Sequence, residues 1–585
     1  MGFIGRALKR LIYVLGFFSF LSLLLITGSI IYRQYQEPKV LDHTVLSLDL
    51  QGAITDGPKR LPFSFLSRQL STYDIVHTLD HAAKDPKIKG LLVRLGHASL
   101  GTSQVQDIRK ALHRFRATGK FAFVHAAEFG DLSGGTLPYY LASAFDEIGL
   151  QPMGGLAFVG LGMELPFARK LLDTFDIIPR FAQREEFKGV LETFTREELS
   201  DPSRLALQSM LDNMMGQIVK DVALERELKE QDVRRLIQEC PIFNAARVQE
   251  IGLVDHVTYL DQFAEYALKK AGASASFLNF QEYAHIKRKA PREKDAKRIA
   301  LIFAEGEITS GGAGPQGLFD ERGITSDLFQ EIFDEIMEAP ADKKPVAIVL
   351  RIDSPGGAPS PSEAIWRLIH VAKEKKIPVV VSMGNTCASG GYWIASAADK
   401  IIAEPGTITG SIGVAGGKIV LEKLWEKIGV KWESVTTGPN ATNTSPHHDF
   451  TPEQWARFQE SLDFTYGYFI KHVADGRRMS LEKAHTLAKG RVWSGEQALE
   501  AGLVDALGDL NTAIDLAKKL AGLTPETPHR AVIYPRVAPW PALLMGGLTD
   551  IRASLQTLAA LQTLATPAAS TLGLLTRPGT ALKIQ

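Results

Sequence analysis

The sequence predicts a tandemly duplicated α/β protein behind one membrane-spanning helix, on three observations. Short apolar runs alternate with amphipathic helical stretches such as Ser360–Lys376 and Pro452–Ala474, the rhythm of parallel strands with helices packed outside. The pattern is written twice. Tyr139–Ala144 with Asp146 (YYLASA…D) matches Tyr392–Ala397 with Asp399 (YWIASA…D), 253 residues further on, and GLVD stands at both Gly252–Asp255 and Gly502–Asp505. Finally, Leu11–Tyr32 is 22 residues without a charge, which at about 1.5 Å per residue reaches across a roughly 30 Å hydrocarbon layer.

The elements follow in order. Residues 1–43 are read as a cytoplasmic stub and anchor. Arg6, Lys9 and Arg10 precede the span, so the positive-inside rule puts the amino terminus in the cytoplasm and the rest outside. The run exceeds a signal-peptide core and no small-x-small cleavage site follows, which favours an uncleaved anchor in the lipid bilayer. The first copy is placed at 44–283, with LQGAIT around Gly52 and LLVRL ending at Leu95. The second is placed at 299–520, with AEGEIT around Gly306 and IVLRI ending at Ile352. Ala284–Arg298 (AHIKRKAPREKDAKR) between them reads as a solvated linker. Residues 521–585 form a tail. Within it Ala553–Thr576 is uncharged but interrupted by Ser, Thr, Gln and Pro567, and reads as an amphipathic packing or oligomer-contact segment rather than a second span.

Composition excludes some classes. Of 585 residues 45% are apolar and 23% charged, with Lys+Arg and Asp+Glu both 66, so no electrostatic footprint for nucleic acid exists. The only cysteines, Cys240 and Cys387, rule out a disulfide framework or a Cys-rich metal site.

The chemistry concentrates in Met383–Asp399 (MGNTCASGGYWIASAAD). Pro378–Ser382 is a strand expectation and Tyr392–Ala398 a short helix, so Ser389 falls on a glycine-flanked turn where a nucleophile is exposed among backbone N–H groups. The plain alternative is a serine N-cap. A second strand, Val346–Ile352, ends in Asp353-Ser354-Pro355-Gly356-Gly357, after which Ser360-Pro361-Ser362-Glu363 has capping-box spacing. Two such turns side by side can present amides of Gly356 or Gly357 and of Gly390 to one carbonyl oxygen, an oxyanion hole.

The strings RIDSPGG, ASGGYWIASAAD, TGSIG (Thr409–Gly413) and GLVD together resemble the signal peptide peptidase A (protease IV) family of membrane-bound serine peptidases. The resemblance implies ClpP/crotonase-like domains, a homotetramer enclosing its sites, and a lysine base in the first copy. The family motif resembling YKSAVEPF is matched by Phe187–Phe194 (FKGVLETF), with Thr193 in place of proline. The implied roles are Ser389 as nucleophile, Lys188 as base, Gly357 (or Gly356) and Gly390 as oxyanion donors, and Ser411 as a candidate to orient the lysine, against its plain reading as a turn serine.

The duplication offers its own check. Lys188 falls opposite Ala441, and Glu433–Phe450 contains no lysine; Ser389 falls opposite Thr136, although Ser133-Gly134-Gly135 could be a retained SGG. Complementary loss is what one site assembled from both copies would leave. Lys188 must be neutral to act, against an ordinary pKa of about 10.4, which calls for burial without a carboxylate partner. The expected function is a serine endopeptidase of the bacterial inner membrane, catalytic part outside the cytoplasm, acting on signal-peptide remnants and other hydrophobic peptides. The rivals are an acyl-CoA enzyme of the crotonase class and an inactive scaffold. No cofactor or metal is expected: His447-His448-Asp449 reads as an exposed loop, His370 as packed or solvated, Cys387 as a buried small residue, and Gly410–Gly417 lacks phosphate-loop spacing.

Overall fold

The computed structural model of the chain describes residues 39–58, 70–130, 134–239, 242–289, 296–311 and 323–536, with 13, 16–22 and 28 near the amino terminus. In the first copy six parallel strands stand in the order His256–Val257, Glu147–Leu150, Phe121–Ala126, Ile88–Ser99, Thr44–Ala53, Ser276–Asn279. The second copy repeats the order with Ala506–Leu507, Lys400–Ala403, Val379–Ala388, Ala347–Ser354, Lys297–Glu305 and His529–Tyr534. Helices cover both faces, so the central strands are mostly apolar; Ala347–Ile352 is buried without a break, Arg351 included.

The residues that reveal the duplication are framing contacts. Tyr139 Oη donates to the Leu253 carbonyl (2.8 Å) and Tyr392 Oη to that of Leu503 (2.7 Å). Asp146 accepts from the Ala122 N–H (2.7 Å) and Asp399 from that of Val379 (2.8 Å), while Asp255 and Asp505 accept from Ile148 and Ile401 (2.8 Å each). Arg226 and Arg477 clamp Asp255 and Asp505. Each of these carboxylates thus satisfies a backbone donor near the start of a strand, which explains why the same letters recur 250–253 residues apart.

The copies meet through buried charge. Arg351, 2% exposed, reaches from the second copy to Asp56 (2.8 Å) and Asp107 (2.6 Å) of the first and to Ser382 Oγ (3.0 Å). Glu305 accepts the Gly57 N–H (2.6 Å) across the same boundary, and burial, aided by the nearby Asp56 charge, pushes its carboxyl up to about 7. Lys110 pairs with the fully buried Glu404.

Three expectations change. Ala284–Arg298 is not a linker throughout, because helix Phe280–Lys289 runs into it with Tyr283 and Ala284 buried, and strand Lys297–Glu305 starts before it ends. The second copy runs past 520, since His529–Tyr534 pairs in parallel with Lys297–Glu305 as its edge strand. The helix after the Gly356-Gly357 turn begins at Pro359 with Ala358 as N-cap, not with a Ser360 capping box: the Ala358 N–H is taken by the Ile308 carbonyl, and Glu363 is drawn instead to Trp393 Nε1 and His472. Among the described residues no helix is long and apolar enough to cross a membrane; Leu11–Tyr32 lies mostly outside them, as do Ser133, Cys240 and residues 537–585.

Candidate active site

Ser389 closes strand Val379–Ala388 and caps helix Gly390–Ala395 with φ 54° and ψ −120°. A non-glycine residue there costs about 1–3 kcal/mol and persists only where its surroundings enforce it. Here they do: the Ser389 N–H donates to the Gly410 carbonyl, and its own carbonyl accepts from Trp393, both at 2.9 Å. The sharp reversal lifts Oγ out of the strand plane.

Lys188 comes from the other copy. Strand Ile178–Gln183 of the first copy pairs antiparallel with Ala415–Val420 of the second, and the chain beyond it is pinned by Glu185 to His485, Glu186 to Lys489 and the Phe187 N–H to the Lys489 carbonyl. These contacts hold Lys188, 5% exposed, with Nζ 3.0 Å from Ser389 Oγ, 2.8 Å from the Ser411 carbonyl and 2.9 Å from Ser411 Oγ. Burial alone lowers its pKa to about 8. A neutral amine has two N–H bonds and one lone pair; with both N–H groups on Ser411, the lone pair faces the Ser389 hydroxyl.

The two glycine turns touch. A Cβ on Gly356 would lie 2.7 Å from Ser389 Cβ, and one on Gly390 3.1 Å from Gly357 N. Hydrogen bonding distinguishes Gly356 from Gly357. Gly356 gives its N–H to Ser354 Oγ (3.1 Å), whereas among the described residues the N–H groups of Gly357 and Gly390 have no acceptor. Two free, adjacent donors beside Ser389 Oγ suit a developing oxyanion.

Two residues escaped the sequence reading. Gly490, at φ 80°, passes so close that a Cβ there would lie 2.5 Å from Lys188 N; the Arg491 carbonyl takes the Ser411 N–H (2.7 Å) and fixes the lysine's acceptor. The signal was a glycine directly after a lysine past a helix end, too common to stand out. Among the described residues the first copy has no counterpart to the serine seat: Gly135 caps the matching helix at φ −80°, and Thr136 Oγ1 accepts from the Gly160 N–H (3.0 Å). Elsewhere, Asp449 pairs with Arg180, His448 bonds Thr442, His447 stacks on Trp432, and His370 packs on Trp366. Cys387 is fully buried, which pushes its thiol far up.

A model of peptidase family S49 matches residues 127–274 and 371–524. The chain belongs to peptidase family S49. The two matched S49 segments carry Lys188 and Ser389 respectively, and the Gly356-Gly357 turn lies outside them. This S49 peptidase is similar to "Protease 4" of Haemophilus influenzae, 31% identical over 81% of this chain and 76% of the relative. It is 29% identical to "Serine protease SPPA, chloroplastic" of Arabidopsis thaliana, over 84% of this chain and 71% of the relative. Over 40% of this chain and 66% of the relative it is 35% identical to "Putative signal peptide peptidase SppA" of Enterococcus faecium. The S49 assignment makes it a serine-type peptidase with tandem α/β domains.

Proposed function

We propose that this chain is a Ser/Lys-dyad endopeptidase that degrades cleaved signal peptides and other hydrophobic peptides, anchored in a bacterial inner membrane by Leu11–Tyr32 with its ClpP/crotonase-like domains outside the cytoplasm, and working as a homotetramer. The observation that carries the chemistry is the 3.0 Å approach of a buried lysine, with a pKa near 8, to the hydroxyl of a serine held at positive φ. Neutral Lys188 takes the proton as Ser389 Oγ attacks the peptide carbonyl. The Gly357 and Gly390 N–H groups receive the oxyanion, and the lysinium then protonates the leaving amine. Water enters by the same route: Lys188 deprotonates it, the acyl-enzyme ester is cleaved, and Ser389 recovers its proton.

Support for apolar substrates comes from Val190 (64% exposed) and Phe194 (38% exposed), which follow Lys188 on the same short segment. The test is turnover of an apolar peptide by the full chain in detergent, against Ser389→Ala. Retained cleavage in that variant would remove the dyad from consideration; intact turnover of charged peptides alone would remove the substrate class.

A further inference from the structure

The catalytic corner is a junction of three helices, and the two copies close it with different side chains. In the second copy the Gly357 N–H stands two residues ahead of helix Pro359–Glu374, and the Gly390 N–H opens helix Gly390–Ala395. These two starts nearly touch: a Cβ on Gly390 would lie 2.6 Å from Ser362 Oγ and 3.1 Å from Gly357 N. One turn further on, Glu363 ties them together. Its Oε2 accepts the Trp393 Nε1–H at 2.9 Å and lies 2.8 Å from Nε2 of His472, on the third helix, Pro452–Arg477. Trp393 also holds the nucleophile's own turn, its N–H donating to the Ser389 carbonyl at 2.9 Å.

The link is well held at both ends. Trp366 stacks on His472 with ring centroids 3.9 Å apart, and Phe469 stacks on Trp393 at 4.5 Å, which keeps both donors facing the carboxylate. Burial works to raise the Glu363 carboxyl, but the His472 and Trp393 hydrogen bonds outweigh it and hold the group below its ordinary value. The acceptor is therefore ionised wherever Lys188 is neutral, and its bonds are of the stronger, charge-assisted kind.

The first copy builds the same junction without this link. Helix Thr102–Arg116 starts 257 residues before Pro359–Glu374, which sets Gln106 in the place of Glu363; helix Asp201–Glu225 starts 251 before Pro452–Arg477, which sets Asp221 in the place of His472. Tyr140 stands where Trp393 does. Its Oη donates to Asp221 at 2.5 Å, and Gln106 Nε2 reaches that oxygen only at 3.5 Å, with the Gln106 amide committed to the Gly406 N–H (2.8 Å) and to Gln217 (3.2 Å). The carboxylate has changed helices, and it stands beside the oxyanion donors only in the copy that carries Ser389.

We propose that Glu363 is a positioning residue for the oxyanion hole: by holding Trp393 and His472 on one oxygen, it fixes the Gly357 and Gly390 N–H groups at the spacing that one oxyanion requires. The inference rests on the Ser/Lys reading above and deepens it. Both donors must converge on a point about 2.7–3.1 Å from each, where the carbonyl oxygen arrives only as it becomes tetrahedral. Loosening them weakens the transition state and spares the bound peptide.

The experiment uses full-length protein in detergent. Glu363→Leu should lower kcat roughly 10²-fold with KM within about twofold, and should lower affinity for a peptide aldehyde by a similar factor. The aldehyde carbon bonds Ser389 Oγ, whose proton passes to Lys188, and the aldehyde oxygen then fills the hole. Affinity for the uncleaved parent peptide, read with Ser389→Ala in both backgrounds, should not change. Glu363→Gln keeps an acceptor oxygen with two lone pairs and should recover kcat to within about fivefold of the wild type. Tyr140→Phe, in the first copy's junction, should leave kcat unchanged. An unaltered kcat and aldehyde affinity in Glu363→Leu would overturn the proposal, and so would equal losses for aldehyde and parent peptide, or a Glu363→Gln as impaired as Glu363→Leu. Should Glu363→Leu fail to fold, Trp393→Phe, which keeps a ring on Phe469 and removes only the N–H donor, decides by the same two affinities. The Ser/Lys reading fails separately, on cleavage by Ser389→Ala alone.

Discussion

At the head of the short helix after its third strand, the first copy carries Gly135 at φ −80° and the second Ser389 at φ 54°. Around that corner the copies are otherwise braced alike, by Tyr139 and Tyr392, Asp146 and Asp399, and Asp255 and Asp505. The same arginine from the same strand also parts ways: Arg94 sits half-exposed on Asp49, while Arg351 is buried across the copy boundary on Asp56 and Asp107. What the duplication kept is what each sheet needs to close its own hydrogen bonds. What it let diverge is whatever faces the other copy, and the active site is built there.

The sharpest way to break this contrast is at the two hydroxyls. Ser389→Ala should lower peptide turnover at least about 10⁴-fold with assembly unchanged, whereas Thr136→Val in the matching corner should leave turnover within about twofold. Comparable losses would mean that both copies carry chemistry. Lys188→Arg should be as inactive as Lys188→Ala, because a guanidinium keeps its proton. In the wild type kcat/KM should rise with pH through an apparent pKa near 8, not near 10.4, as the lysine discharges. An active arginine variant would place the base elsewhere.

Next in size is the arginine pair. Arg351→Met strands two buried carboxylates and should cost about 3–5 kcal/mol in denaturant melts; Arg94→Met should cost less than about 1 kcal/mol. Equal costs would show that the buried bridge adds nothing at the copy boundary.

Two glycines at the same φ sharpen the contrast further. Gly490→Ala, pressing on Lys188, should lower kcat/KM roughly 10²-fold. Gly502→Ala, at φ 79° with nothing within 4 Å of the new Cβ, should cost about 1 kcal/mol of stability and no activity. A silent Gly490→Ala would show that the lysine's backbone has room to move.

The smallest effect is a pH slope. Glu305 stands where the first copy has Gln51, and its carboxyl, ordinarily near 4.5, titrates at about 7. The folded state therefore holds a proton that the unfolded chain has released. This contribution is complete below about 4.5 and is lost as pH rises through 7. Glu305→Gln, which makes the second copy resemble the first, should gain on the wild type by on the order of 3 kcal/mol between pH 4 and pH 8. A difference that does not vary with pH would place the proton on another group.

The frame was legible because its causes are local: apolar runs make strands, and the repeated Tyr, Asp and GLVD letters brace them. Ser389 and Gly390 were also legible in their own motif, whereas Lys188, one charge beside Arg184, Glu185 and Glu186, was singled out by the family resemblance. Gly356 against Gly357 was not, because the choice turns on where Ser354 Oγ points. Nor was Gly490, whose importance lies in a neighbour 302 positions away in the chain. The two boundaries moved for different reasons. Near 284 the charged composition hides helix Phe280–Lys289, which is held by the buried Tyr283 and Ala284; near 520 the sheet recruits His529–Tyr534 as an edge strand, and pairing partners leave no mark on composition.

Lys188 and Ser389 are 201 residues apart, and the pieces that press them together, Glu185 on His485 and Phe187 on Lys489, need the chain through about residue 490. A ribosome makes the amino-terminal copy first, and domains fold largely in order of synthesis. For most of its birth the molecule therefore owns a base with no nucleophile, then a nucleophile whose base is not yet docked. On the proposed Ser/Lys mechanism, cutting power arrives only when the second copy closes on the first, so the nascent chain is spared its own chemistry by the order in which it is written.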